Sequence, residues 1–403
     1  MSARLMALCR SLPARLPRGG WFVVAFFALL ALPSLLPLMR PAPVSLGAEN
    51  RRPAPVPAWP RAMVEVPRLP GAVDAYLADR FGFRDPLIRL NTFLRWHVLG
   101  ETGTPLLVAG RNGRVFLASH NEAPANSMIT LVCGATATDA VIARGVETIR
   151  QAIGAVRNAG MDPTLLLVPT AARLHPADLP PGLAAACAGH TPFGDAIAVR
   201  SAGLPVIYPV TEMARLGGIP LHRFHWAGAA PLGVEERVAE TDWGLARTFP
   251  LPVERKTRGS DLNPLSPGLG LSDVIDEPQL RAAGAGECWL AACAGHGPPP
   301  EVAGALNGYW RSGQGQLLII ADSFGLDIAP DFLQSFAEVW LVHTNVTKSM
   351  SPVARAALST WLHQRFGHDR VLLVLHDYGA AFDFGRLVAD VLTPASCLAE
   401  CAP

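Results

Sequence analysis

The stretch from Leu317 to Pro330, LLIIADSFGLDIAP, runs through aliphatic residues and then stops at an acid, a serine, an aromatic residue and a glycine. A serine so placed is a nucleophile if a neighbouring base takes its proton. Histidine is the usual base, because its unperturbed pKa is about 6.5. The histidine that draws attention is His225, which with Trp226 stands directly before a helical pattern in HRFHWAGAAPLGVEERVAE, residues 222–240. Order along the chain is free, since such arrangements are defined by geometry. The plainer role for Asp322 and Ser323 is to cap a helix that starts near Ala329.

The elements that must position these residues are legible from periodicity. Leu317 to Ile320 reads as a strand buried on both faces of a parallel sheet, with Ser323 at its carboxyl end. Open α/β sheets place their ligands there. Further strands are expected at Thr164–Val168, Ile207–Tyr208, Val339–Val342 and Arg370–Leu375. Val141, Ile142, Val146, Ile149, Ile153 and Val156 mark an amphipathic helix, and other helices are expected near 351–365 and 380–391. This alternation predicts an α/β fold, a doubly wound parallel sheet with helices on both faces. Asn112-Gly113, between two short apolar runs, signals a hairpin. Clustered Pro and Gly over about 244–312, RGSDLNPLSPGLGLSD included, read as an irregular insertion bordering the cleft.

The chain has 403 residues, half of them hydrophobic, with a formal net charge of +1. Such a balance offers no electrostatic footprint for nucleic acid. Trp21 to Met39 carries no charge and approaches the ~20 residues a membrane-spanning helix needs. Arg4, Arg10, Arg15 and Arg18 precede it and favour a cytoplasmic amino end. The expected organisation is a cytoplasmic tail (1–20), a single-pass transmembrane anchor in the inner membrane (21–39), a Pro-rich tether (40–68) and a periplasmic domain (69–403). Six cysteines follow the anchor: Cys133, Cys187, Cys288, Cys293, Cys397 and Cys401. In an oxidising compartment they are disulfide candidates, with Cys288/Cys293 and Cys397/Cys401 close enough to pair locally. No histidine lies at ligand spacing from either close pair, so no metal site is expected.

Several segments occur together in a telling order. Glu49-Asn50-Arg51 follows the apolar stretch, and Asp79-Arg80-Phe81-Gly82-Phe83-Arg84-Asp85-Pro86-Leu87-Ile88 begins the helical part. Gly110-Arg111-Asn112-Gly113-Arg114-Val115-Phe116-Leu117 forms the hairpin pattern. Val168-Pro169 leads to His175-Pro176-Ala177-Asp178-Leu179-Pro180, and Arg223-Phe224-His225-Trp226-Ala227-Gly228-Ala229 precedes Ala321-Asp322-Ser323-Phe324-Gly325. In this order they resemble the alginate O-acetyltransferase family, the AlgJ/AlgX-like branch of the SGNH-hydrolase-like proteins. The resemblance implies an O-acyltransferase using Ser–His catalysis outside the cytoplasm, without a cofactor. A membrane-embedded acyl-donor protein would load Ser323, and the acetyl group would pass to a hydroxyl of an exported or cell-surface polysaccharide. His225 would be the base, and the Ser323 N–H an oxyanion donor with Gly325 or Asn345 as the second, unless these two only shape turns.

The chain departs from the pattern at three places. Ala321 stands for the first Gly of the nucleophile motif, Ala171 or Ala172 for a Lys, and Arg223 for the acid that orients the histidine. A cation two residues from His225 opposes imidazolium and accepts no N–H. Glu212, Glu287 and Asp322 are other acids able to orient the ring, and Arg223 and Asp322 are orienting or substrate positions. A weak or inactive glycan-binding scaffold of an export complex and a carbohydrate esterase are the alternative readings. Trp226 and Trp310 are candidate sugar platforms, with Trp243 and Trp289 near them, although packing is the commoner fate of Trp. His175, His343 and His376 each end or follow an expected strand, where a structural role outweighs one at the cleft.

Overall fold

The computed structural model describes residues 20–39, 53–80, 83–120, 123–288 and 298–393. It divides into two compact units, one of Met1–Leu99 with Pro264–Leu269 and one of Gly100–Asn263 with Gly270–Pro403. In the first unit the helices are α1 (Gly20–Met39), α2 (Leu69–Asp79) and α3 (Arg84–Leu94). Side chains of α1 are described only to Leu29. Among the described residues no helix is long and apolar enough to cross a membrane. The Glu49-Asn50-Arg51 segment lies outside the described residues.

The second unit opens with β1 (Leu107–Ala109) and β2 (Val115–Leu117), paired antiparallel across Asn112 and Gly113, both at positive φ. Next come α4 (Asp139–Asn158), β3 (Asp162–Val168), β4 (Val206–Ile207), α5 (Ala229–Glu236), β5 (Val253–Gly259), β6 (Ser272–Pro278), β7 (Gly286–Cys288) and β8 (Leu306–Trp310). The chain closes with β9 (Gln316–Ala321), α6 (Gly325–Ile328), β10 (Glu338–His343), α7 (Pro352–Phe366), β11 (Arg370–His376) and α8 (Phe384–Leu392).

One seven-stranded sheet, ordered β4-β3-β11-β9-β10-β8-β7, carries the core. Strands β4, β3, β11, β9 and β10 are parallel. Both sheet faces are dry because alternate residues of each strand face a different helix layer. Leu165, Leu167, Leu318, Ile320, Trp340, Val342 and Leu373 pack with α4, α7 and α8 through Ile149, Ile153, Leu362, Phe366 and Val388. The alternate residues Leu166, Leu317, Ile319, Leu341 and Leu372 are buried on the opposite face. There α6 lies so close that a Cβ on Gly325 would stand 2.2 Å from the Ala321 Cβ and 3.0 Å from a Leu341 methyl. From β9 the chain passes to β10 on one side and then crosses to β11 on the other. Ser323 therefore emerges mid-sheet, where open sheets form their crevice.

Two sequence expectations need correction. The sheet is not wholly parallel, since β8 and β7 add an antiparallel edge. The segment 244–312 is not merely irregular, because it supplies that edge and the separate β5–β6 ribbon. Val253–Gly259 is mostly charged and solvated on both faces, so no apolar period announces a strand. The disulfide described joins Cys133 to Cys187, with Cα atoms 5.5 Å apart and a sequence separation of 54. A loop of that size loses about 4 kcal/mol of unfolded-state entropy in the chain-entropy treatment. Cys293, Cys397 and Cys401, and with them both local pairings, lie outside the described residues.

Candidate active site

Ser323 follows β9 in a turn that its neighbours fix. Asp322 stays in the sheet through its N–H to Val374 C=O at 3.1 Å. Its carboxylate turns back and accepts the Phe324 N–H at 2.8 Å, the His376 N–H at 3.0 Å, and a hydrogen bond from His376 Nδ1. Burial alone would raise the Asp322 carboxyl. The charge of His376 and these N–H groups outweigh it and hold the pKa below the ordinary value. Asp322 thus belongs to the loop and to His376, and does not orient His225.

His225 arrives on the segment before α5. Its Nε2 stands 2.8 Å from Ser323 Oγ, and its Nδ1 stands 2.6 Å from an oxygen of Asp261. Asp261 also accepts the backbone N–H groups of Phe224 and His225, each at 3.0 Å. An ionised carboxylate only accepts, so the ring proton belongs on Nδ1 and the Nε2 lone pair faces the serine hydroxyl. Desolvation alone would lower the His225 pKa. The hydrogen bond and charge of Asp261 overcome that, and the net shift is upward. Burial pushes the partner acid up, the bonds to His225 pull it down, and Asp261 ends below its ordinary value.

Asp261 was not among the acids singled out from the sequence. It sits in RGSDLNPLSPGLGLSD, in the connection between β5 and β6. The turn around it is closed by Asn263, whose side chain donates to Leu271 C=O at 2.8 Å and accepts the Leu271 N–H at 2.9 Å. The connection is laced to the histidine segment by His222 N–H to Asp273 at 3.2 Å and by Ser260 Oγ to His222 C=O. A Ser-Asp pair amid Pro and Gly in a segment already placed at the cleft was the available signal, since Asp and Ser hold such turns with their side chains. Glu212 is instead bridged to Arg237, and Glu287 lies on the β7 edge opposite Tyr309.

Arg223 takes no part in this relay. One guanidinium nitrogen donates to Gly259 C=O at 3.3 Å, while its Nε is buried without a partner among the described residues. The same small cavity, about 10 Å³, is lined by Arg223, Thr170, Ala171 and Ala172. Two of the three departures from the family pattern therefore meet in space. Thr170 Oγ1 is likewise buried and unpartnered, and the cavity has room for about one water.

Trp226 is not a sugar platform. It is fully buried, and its indole N–H donates to Phe324 C=O at 2.8 Å, tying the histidine segment to the serine turn. Trp310 remains half exposed on β8, and Trp289 lies outside the described residues. The Gly325 N–H is taken by Asp322 C=O at 3.2 Å, which leaves that group to the turn. Asn345 is exposed in the helical turn after β10, with no described contact to Ser323. His376 stacks on Phe324 with ring centroids 4.9 Å apart. Burial and the nearby Arg114 lower the His175 pKa to about 4, which suits a neutral packed ring. His343 Nδ1 is buried without a described partner. Among the described residues no cluster of His, Cys, Asp and Glu is arranged to hold a metal ion.

A serine hydroxyl, an imidazole and a carboxylate in hydrogen-bonded series can deprotonate the serine and stabilise the resulting imidazolium, which is the chemistry of acyl transfer. No model of a protein family and no curated protein matches the sequence. Among solved structures, the chain is similar to a DHHW family protein from Eubacterium siraeum, at 13% identity and a TM-score of 0.46, over 72% of this chain and 99% of that one. It is also similar to the O-acetyltransferase domain of Pseudomonas putida AlgJ, at 13% identity and a TM-score of 0.42, over 68% and 92%. Pseudomonas aeruginosa AlgX is similar at 13% identity and a TM-score of 0.40, over 70% and 66%. At these identities and TM-scores the likenesses assign neither a residue nor an activity, and nothing below rests on them.

Proposed function

We propose that this chain is an O-acetyltransferase that carries acetyl on Ser323 and delivers it to a hydroxyl of an exported or cell-surface polysaccharide. The observation that carries the reading is the unbroken series from Ser323 Oγ through His225 to Asp261. In the first half-reaction Ser323 Oγ attacks the donor's acetyl carbon while His225 Nε2 takes the hydroxyl proton. The donor's leaving group departs with that proton, and an acetyl-serine ester remains. A sugar hydroxyl then attacks the ester carbon, gives its proton to His225, and Ser323 Oγ leaves and regains a proton from the ring. Asp261 holds the ring in the working tautomer and balances its charge throughout.

The polysaccharide acceptor and the membrane-embedded acyl donor come from the sequence resemblance. Attachment through α1 and a periplasmic catalytic unit come from the uncharged run Trp21 to Met39 and the arginines before it. An inert scaffold is the weaker reading, because its ground was the missing carboxylate, and Asp261 stands in that place. Hydrolysis needs the same three residues, so the acceptor decides between transferase and esterase. The test offers purified protein an activated acetyl ester with and without neutral and uronate oligosaccharides. Transfer is expected as an acetylated sugar formed faster than free acetate, with both products lost in Ser323→Ala. Acetate release that no sugar diverts would make the protein an esterase. No acetyl on Ser323 under any condition would remove the enzyme reading.

A further inference from the structure

We propose that α3 of the N-terminal unit lies on a lipid surface, with Leu87, Leu90, Phe93 and Leu94 seated among the acyl chains. The proposal rests on the membrane attachment of the preceding section. Leu87, Leu90 and Leu94 stand at i, i+3 and i+7 of one helix, so they share a face, and Phe93 borders it. Each of the four is 48 to 53% exposed, whereas Thr92 on the packed side is 4% exposed. The helix thus turns a polar residue inward and its largest apolar residues outward. A soluble helix is built the other way, and a contiguous outward apolar face marks a binding surface. Val98 and Leu99, in the turn that follows, extend the apolar surface, at 71% and 64% exposure.

Position and charge identify the occupant as lipid. Met39, the end of α1, is fourteen residues before Pro53, a reach of at most about 50 Å even when fully extended. Whatever α1 inserts into is therefore within reach of α3. Residues 53–99 hold Arg61, Arg68, Arg80, Arg84, Arg89 and Arg95 against Glu65, Asp74, Asp79 and Asp85, an excess of cations. On the α3 helical wheel Arg84 and Arg89 flank the apolar stripe on opposite sides, and Arg84 is also paired with Asp85 at 4.0 Å. That is the arrangement of an interfacial helix, in which arginine stems cover apolar surface while the heads reach phosphates.

The test places a benzophenone amino acid at Leu90, at Phe26 in α1, or at exposed Thr360 as a solvent control, each in the full chain. The protein is reconstituted in nanodiscs of phosphatidylethanolamine and phosphatidylglycerol with no second protein, irradiated, and its lipid adducts are measured by mass spectrometry. Adducts at Leu90 and Phe26 with none at Thr360 are the expected result. Adducts at Phe26 without any at Leu90 overturn the proposal while leaving the anchor intact. Adducts at Leu90 alone keep the surface contact and remove the anchor. Adducts at neither overturn both.

Discussion

Asp261 receives three N–H groups, two from the backbone and one from the His225 ring, and this count fixes its role. A carboxylate so surrounded stays ionised, and it holds imidazole and main chain in one orientation. Arg223, two residues before His225, donates to Gly259 C=O, and no acid is needed at its position because Asp261 accepts the ring N–H. Replacing Arg223 with Asp would set a second carboxylate near the first without repairing anything. Single-turnover acylation by Arg223→Asp should therefore be no faster than wild type, and a clear gain would show that the relay lacks a carboxylate after all. The same geometry sets a pH dependence. Because His225 titrates above its ordinary 6.5, the neutral base fills only as pH rises through that raised value. The acylation rate should climb with pH over this range and then level.

At the scale of elements, the strands that carry Ser323 were plain from sequence because burial on both faces leaves an unbroken apolar run, as in Leu317 to Ile320 and Val371 to Leu375. The carboxylate was not plain, because it sits on a connection whose order comes from side-chain bonds made by Ser260, Asp261 and Asn263, none of which has a period. His225 was found because a histidine beside a tryptophan precedes a helix. Asp261 lies 36 residues beyond it with no spacing rule to link them. Three residues past Asp261 the same connection enters Pro264–Leu269, which belongs with the N-terminal helices. Gly268 there has φ +99, and a Cβ on it would stand 2.5 Å from the Arg89 Cα.

Across the whole molecule, the interior holds acids that the relay does not use. Glu235 on α5 is fully buried, accepting from Ser335 Oγ at 2.9 Å and from Gln334 at 3.3 Å, and burial raises its pKa to about 7. Asp331, equally buried, is also raised by burial and by Glu235. A carboxyl whose folded-state pKa exceeds its unfolded one binds more protons when folded. Its contribution is complete below about 4.5 and is lost as pH rises through about 7. The shift corresponds to something on the order of 3 kcal/mol. Glu235→Gln keeps the hydrogen-bonding shape without the charge, so it should raise Tm at pH 8 and leave it nearly unchanged at pH 5. An equal effect at both values would mean that Glu235 does not titrate in this range.

The most direct measurement is the single-turnover rate at which Asp261→Asn takes acetyl from an activated ester, compared with wild type, Ser323→Ala, His225→Ala and the double variant His225→Ala/Asp261→Asn. Asn presents an N–H where the ring needs an acceptor, and loss of the corresponding acid in a serine protease costs roughly 10⁴ in turnover. A loss of that order is expected, with the double variant little slower than the worse of its two single variants, because members of one unit are not additive. Acetyl should be found by peptide mapping on Ser323 in wild type and be absent from Ser323→Ala. A wild-type rate in Asp261→Asn, or acetyl on another residue, would contradict the relay from Ser323 through His225 to Asp261.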